Sequence, residues 1–350
     1  FIIFIINIMK RIGVIIGTER QPEEEEIKYY QKHKKQFDKT LEDLQLNGLQ
    51  DLSYDIQIFS WLQRNCPNNI EIVPLWKTSF TKKDLDNLDV VFSLYEFTYA
   101  FIDSGQKGVK QYFNLIDHTT KTKTQVHPTP ELQRFIMNKS KYMNYFKKKG
   151  FPLLDTIYMN INTYTTKNQK EKMKIFERIV KRFKGPIFCK PELGGFAVGT
   201  KLFKKPIFKS FDNYLAKAES NGYNKLLIQP YIEEFLKFHE IKTLWINGKF
   251  QYAYGTKVAS YEDTYIRQSE IDAKLLKTLK QKGREIIKTL TKDFGLPFIL
   301  RIDWGCCLIN DNICRDYFLN EIECCPAMVF EDDESRDPFN YLAKQIIKLV

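Results

Sequence analysis

Lys190 and Pro191 close the apolar run Gly185–Pro191, and Gly194, Gly195 and Gly199 follow at once. A strand that delivers a lysine into a loop free of bulky side chains suits phosphate. Backbone N–H groups can approach phosphate oxygens there, and the ammonium adds a compact positive charge. The same pattern also makes an ordinary hairpin turn into a second strand, Val198–Phe203. It is not the GxxxxGK[ST] phosphate loop, and a strand rather than a helix follows, so it is not the dinucleotide fingerprint either. A second cluster lies in Arg301-Ile-Asp303 and Asn320-Glu-Ile-Glu323. Strand alternation puts Glu321 and Glu323 on one face, and Asp303 belongs to the preceding, antiparallel strand. Three carboxylates so placed repel unless cations bridge them, which suits Mg²⁺; the alternative is a solvated sheet face. Against that alternative, these acids are embedded among Ile, Trp, Leu and Cys.

Other residue types support less. The four histidines show no HxxxH or Cys-His pairing, so neither a zinc site nor a histidine base is indicated. The seven cysteines include no CxxC pair, and Cys306, Cys307, Cys314, Cys324 and Cys325 crowd into one stretch, read as reduced thiols of a cytoplasmic protein. Glu23–Glu26 after Pro22 reads as a helix N-terminus rather than a metal site. Trp245 and Trp304 read as core.

These residues need elements to position them. Ile12–Ile16 reads as a buried strand, followed by a helix to Leu46 that stops at Asn47-Gly48. Strand-like runs at Asp55–Phe59, Ile70–Pro74 and Asp89–Leu94 alternate with helical stretches, as in a small parallel α/β domain over 10–118. The polar Thr119–Thr124 and His127-Pro-Thr-Pro130 make a connection. A helix over Glu131–Lys149, ended by Gly150, and another over Lys170–Lys184 follow. No repeat of solenoid length is present.

Taken together, the stretch from about Lys139 to Pro326 resembles the ATP-grasp superfamily of carboxylate–amine ligases, of the D-alanine–D-alanine ligase and glutathione synthetase kind. Five elements in order carry the resemblance. Asn138-Lys139, eleven residues before Gly150-Phe-Pro, resembles the helix whose lysine contacts ATP phosphate. Lys190-Pro191 resembles the strand lysine on the phosphates, and Gly194–Gly199 the loop that closes over them. Leu227-Ile-Gln229-Pro230-Tyr231-Ile232 is similar to the interlobe segment that reads adenine through its backbone. Glu240 stands where the family places an acid on the ribose hydroxyls, and Asp303, Glu321 and Glu323 where it places metal ligands.

The resemblance implies an N-terminal parallel α/β domain (10–118) before an ATP-grasp fold of two α+β lobes, 119–226 with the phosphate loop and 227–350 with the acids. It implies ATP and two Mg²⁺ ions, with Mn²⁺ as a substitute. The implied reaction activates a carboxylate, of an amino acid or peptide, as an acyl phosphate and joins it to an amine. The alternative is a kinase on the same fold acting on a hydroxyl such as that of an inositol phosphate. Arg301 matches the arginine placed on the developing tetrahedral centre. Lys242 and Lys257, and more weakly Arg267, are candidates for phosphate or acyl-phosphate contacts or else surface residues. Two positions depart from the pattern: Glu321-x-Glu323 stands where the family often has Glu-x-Asn, and Phe196-Ala197 where its loop often carries hydroxyls.

Composition bounds these readings. The 350 residues are 43% hydrophobic and 28% charged, with a net charge of +11, enough for about two domains and unlike a disordered, collagen-like or coiled-coil chain. The excess of lysine suits a polyanionic partner such as nucleotide phosphate, or a lysine-biased soluble surface. No nucleic-acid motif is recognisable and no apolar run is long enough to span a membrane, so neither partner is expected. Phe1–Ile8 is apolar but short; it reads as an upstream extension before Met9, or as a hydrophobic first strand or anchor. The oligomeric state is left open, a homodimer included.

Overall fold

The computed structural model describes residues 9–17, 24–46, 48, 53–76, 80–94, 105–120, 122–195, 197–232, 238–256, 265–308, 314–326 and 338–350. Phe1–Ile8, Phe196, Lys257 and the Asn310–Asn312 turn lie outside the described residues.

The first sheet is parallel. β1 (Lys10–Ile16) lies between β2 (Ile70–Trp76) and β3 (Val90–Ser93), and β4 (Gln125–His127) pairs with β3. The helices in this half are α1 (Glu24–Lys32), α2 (Lys34–Asp43), α3 (Tyr54–Asn65), α4 (Lys82–Asp86) and α5 (Gly105–Thr120). The expected single helix to Leu46 is interrupted at His33. The run Asp55–Phe59, expected as a strand, is helical. Its alternation of Ile with polar residues mimics period two, but Ser53 caps the helix by accepting the Ile56 N–H at 3.3 Å. Tyr54 to Leu62 are all buried, so neither period shows on this helix.

Residues 131–149, expected as one helix, belong to two: α6 (Pro130–Met137) and α7 (Lys139–Lys148). Asn138 leaves helical geometry, bridges to Leu193, and accepts the Lys141 N–H at 3.0 Å as the cap of α7. The second sheet has the order β5 (Ile157–Asn160), β8 (Lys225–Pro230), β6 (Ile187–Pro191), β7 (Lys201–Phe203), all antiparallel. β7 is shorter than the expected Val198–Phe203 because 197–199 turn. α8 (Ile161–Thr165), α9 (Gln169–Phe183) and α10 (Phe208–Ser220) belong to this lobe, and Phe176, Ile179, Phe211 and Leu215 share its core with the sheet.

The third sheet is antiparallel, in the order β11 (Tyr265–Ile266), β10 (Lys249–Thr256), β9 (Glu240–Ile246), β12 (Ile299–Leu308), β13 (Cys314–Glu323). On one side Trp245, Leu300 and Ile302 pack with α7 and with α11 (Ala273–Phe294). On the other, Leu244, Ile246, Tyr252 and Phe298 join a core with β1, β3, α3 and α12 (Pro338–Ile347). The first sheet is thereby held against the third. Among the described residues no helix is long and apolar enough to cross a membrane.

Candidate active site

The break at Asn138 puts Lys139 in the first turn of α7, facing the glycine loop. Its N–H donates to the Glu192 carbonyl at 3.0 Å, and its ammonium donates to the Gly194 carbonyl and pairs with Glu321 Oε1 at 2.9 Å. Lys190 comes from the centre of the second sheet and is 8% exposed. Burial pushes its ammonium below the ordinary lysine range, Glu321 and Glu240 raise it in part, and Lys139 lowers it. Glu192, just past Pro191, ties these pieces together. Its carboxylate accepts from the Ser140 hydroxyl and from Lys225 Nζ at 3.4 Å. Gly199 closes the loop with φ +75; a Cβ there would sit 2.9 Å from Pro191 and Tyr223.

The acids lie in register across the third sheet. Lys242 of β9 is opposite Asp303 of β12, which is opposite Glu321 of β13; two residues along, Arg301 is opposite Glu323. Lys242 Nζ is 2.6 Å from Glu240 and 2.8 Å from Asp303. Arg301 grips Asp303 through Nε at 2.8 Å and Nη2 at 2.9 Å, and also reaches Glu323 at 2.8 Å. A bulge between Asp303 and Trp304 leaves Asn320 as the extra residue of β13. Asn320 therefore faces the cavity beside Glu321 and donates to Glu240.

Each carboxylate responds to its cations. Burial would raise Asp303, but Arg301 and Lys242 hold it down at about 2. Glu321 is likewise held below its ordinary value by Lys139 and Lys190, despite burial. Glu323 differs: burial pushes it up to about 7, Arg301 pulls against this, and Asp303 and Glu321 add to the rise. Burial opposes the charge on Lys242, yet Asp303 and Glu240 raise it above the ordinary lysine range.

Apart from Gly199, Lys257 and the weaker candidate Arg267, every residue assigned to the site from sequence lines one cavity of about 380 Å³. Lys257 lies outside the described residues and Gly199 stands behind the loop. Arg267 does not line the cavity; it opens the short 3₁₀ turn before α11. At one end Leu154, Phe188, Pro230 and Ile232 provide apolar surface. The Gln229 amide is held there by donation to Thr156 Oγ1 at 2.9 Å. Tyr231 lines this end too, but its N–H is already donated to the Pro186 carbonyl at 3.0 Å, so it is not available to a base.

Among the described residues no three carboxylate, imidazole or thiol groups converge as a ready-made metal cage. The acids are instead neutralised by protein cations. Glu321 and Glu323 are each held through Oε1, and a set of hard oxygens beside lysines fits magnesium bound together with phosphate. Sequence reading passed over Glu192, Ser140 and Asn320. Asn320 was visible in the Asn-Glu-Ile-Glu string, but only the bulge turns it inward. Nothing in the sequence singled out Glu192.

No family model matches the chain, and no curated protein matches it. Among solved structures it is similar to D-cycloserine synthetase DcsG, with TM-score 0.67 and 11% identity over 97% of this chain and 99% of that one. It is also similar to D-alanine–D-alanine ligase from Bacillus anthracis complexed with ATP, with TM-score 0.56 and 16% identity over 97% and 96% of the two chains. A third is the ATP-grasp ligase PsnB complexed with minimal precursor, with TM-score 0.56 and 12% identity over 98% and 100%. The chain therefore has the ATP-grasp fold.

Proposed function

We propose that this protein is an ATP- and magnesium-dependent ligase that activates a carboxylate as an acyl phosphate and joins it to an amine. The observation that carries the reading is the seam where Lys139 and Lys190 of the phosphate side meet Glu321, with Lys139 Nζ 2.9 Å from the carboxylate. Triphosphate charge would take the place of the carboxylate on the lysines, and metal charge the place of the lysines on the carboxylate. Two similar structures support it, one in complex with ATP and one with Mg and ADP.

Asp303, Glu321 and Glu323 would hold the metal, as two Mg²⁺ ions or Mn²⁺ in their place. Magnesium, when bound, supplies charge neutralisation at the phosphates. Lys139, Lys190 and the N–H groups of the loop bind the phosphates, and Lys242 adds positive charge towards the transferring group; Lys257, outside the described residues, is the second candidate for that role. Glu240 accepts from the ribose hydroxyls, and the base lies between Leu154, Phe188 and Ile232. A substrate carboxylate oxygen forms a bond to the γ-phosphorus as the bond to ADP breaks. Amine nitrogen then attacks the acyl carbon, inorganic phosphate leaves, and nitrogen gives up a proton. Arg301 faces the negative charge that develops on the acyl oxygen. Closure of the glycine loop excludes water that would hydrolyse the acyl phosphate.

The deciding experiment measures ADP release with pooled amino acids and short peptides in the presence of hydroxylamine. A hydroxamate identifies the ligase. A stable phosphorylated alcohol without hydroxamate identifies a kinase and overturns the reading.

A further inference from the structure

The cavity changes character past the Arg301–Glu323 pair. Its wall there is made by Tyr112 of α5, Met137 of α6, and Cys324 and Cys325 after β13, none more than 9% exposed. The Tyr112 hydroxyl is donated to Gln133 Oε1 at 2.6 Å, and the Cys325 thiol to the Ser93 carbonyl at 3.4 Å. These two polar hydrogens are engaged inside the protein. Among the described residues this wall carries no charge and presents sulfur, methylene and ring edges.

Its place in the site follows from the order along β13. Asn320 meets Glu240, Glu321 meets Lys139, Glu323 meets Arg301, and the two thiols come next. At about 3.3 Å per residue this order covers roughly 16 Å of chain. It runs from the proposed ribose acid, past the phosphate-facing acids and Arg301, to the thiol wall. The wall also meets β3 at its carboxyl end, through Ser93, where open parallel sheets receive ligands. A carboxylate beside Arg301, in reach of a transferring phosphoryl group, has this wall of the same cavity next to it for the rest of its molecule.

We propose that the carboxylate substrate carries an uncharged, apolar substituent seated on Tyr112, Met137, Cys324 and Cys325. This rests on the ligase reading and adds the substrate class. Among the described residues this wall offers a polar or charged substituent no charged group in exchange for water.

The test is hydroxamate formation from matched α-amino acids, leucine against asparagine and methionine against glutamate, with ATP, magnesium and hydroxylamine. The apolar member of each pair is expected to have a kcat/KM at least about tenfold higher. Met137→Gln and Cys324→Ser are each expected to lower the leucine-to-asparagine ratio by about tenfold. Melting temperature and affinity for a fluorescent ATP analogue, read in parallel, separate lost selectivity from lost folding. Preference for asparagine or glutamate, or a ratio unmoved in both variants, overturns the inference and leaves the ligase reading standing. Absence of hydroxamate from both apolar members overturns it too, and ADP release to an alcohol instead removes the ligase reading as well.

Discussion

Arg301 is where one side chain has most to do. Its guanidinium is almost buried and compensates both Asp303 and Glu323. The third acid of the Arg-x-Asp and Glu-x-Glu pattern thus comes with a protein cation already attached. Arg301→Met should cost about 3 kcal/mol of stability, because it leaves Glu323 without its ion-pair partner and Asp303 with Lys242 alone. Denaturant unfolding at neutral pH measures this, and a change within 0.5 kcal/mol (roughly the scatter of surface substitutions) would show that the pair is not held as described. Lys190→Ala should abolish ATP-dependent turnover in a protein that still unfolds cooperatively, and wild-type turnover would remove this lysine from the mechanism. Glu321→Gln should raise the magnesium concentration needed for half-maximal activity by about tenfold, equivalent to about 1.4 kcal/mol. An unchanged magnesium titration would show that the acid holds no metal.

At the scale of elements, Glu192, just past β6, is tied to α7 and β8: its carboxylate takes Ser140 and Lys225, and its carbonyl takes the Lys139 N–H. Glu192→Gln should raise the KM for ATP more than it lowers kcat, since it loosens the placement of both lysines without touching the reacting atoms. Equal loss in both parameters would argue for a general defect. β4 has its own test. His127 lies between Phe92 at 5.3 Å and Phe298 at 5.7 Å, where burial depresses its pKa to about 4. Above its ordinary pKa of about 6.5 the ring is neutral folded or unfolded, and no cost arises. As pH falls from there to about 4, the unfolded chain takes up a proton that the folded one refuses, so stability declines; below pH 4 the loss levels off at up to about 3 kcal/mol. Unfolding midpoints between pH 7 and 4.5 should therefore fall more steeply in the wild type than in His127→Phe, and parallel slopes would exclude the ring as a source of acid sensitivity.

For the whole molecule, the site is a junction. The second sheet contributes Lys190 and the loop, the third contributes the acids and Arg301, and the first sheet packs, with α3 and α12, on the same face of the third sheet, against Leu244, Ile246 and Ile299. A ligand that replaces the lysine–glutamate contact from both sides binds only the folded arrangement. Mg-ATP at about a hundredfold over its Kd should then add about 2.7 kcal/mol to the stability, and ATP without magnesium much less. Thermal unfolding with each addition measures it, and equal shifts with and without magnesium would count against a shared metal–phosphate site.

Much of this was present in the chain order. Lys190 before a glycine loop, Arg301 two residues from Asp303, and Glu321 two residues from Glu323 could be placed on strands because side-chain alternation is a local property. Local patterns also marked β1, β2 and β3 and the helix ends at Gly150 and Gly185, whereas β4 lies where a connection was expected. The helix over 54–65 was hidden because it is buried on every side, which erases the contrast that periodicity relies on. The break at Asn138 was hidden because its partner, Leu193, is far along the chain. The inward turn of Asn320, the attachment of Glu192 to Ser140, the engagement of the Tyr231 N–H and the thiol wall beside Arg301 all depend on which strands and helices become neighbours. Sequence determined which charges this protein owns and the strand faces they occupy. Tertiary packing decided which of them meet, because Coulomb attraction and hydrogen bonds act over a few ångströms between segments that chain order keeps apart.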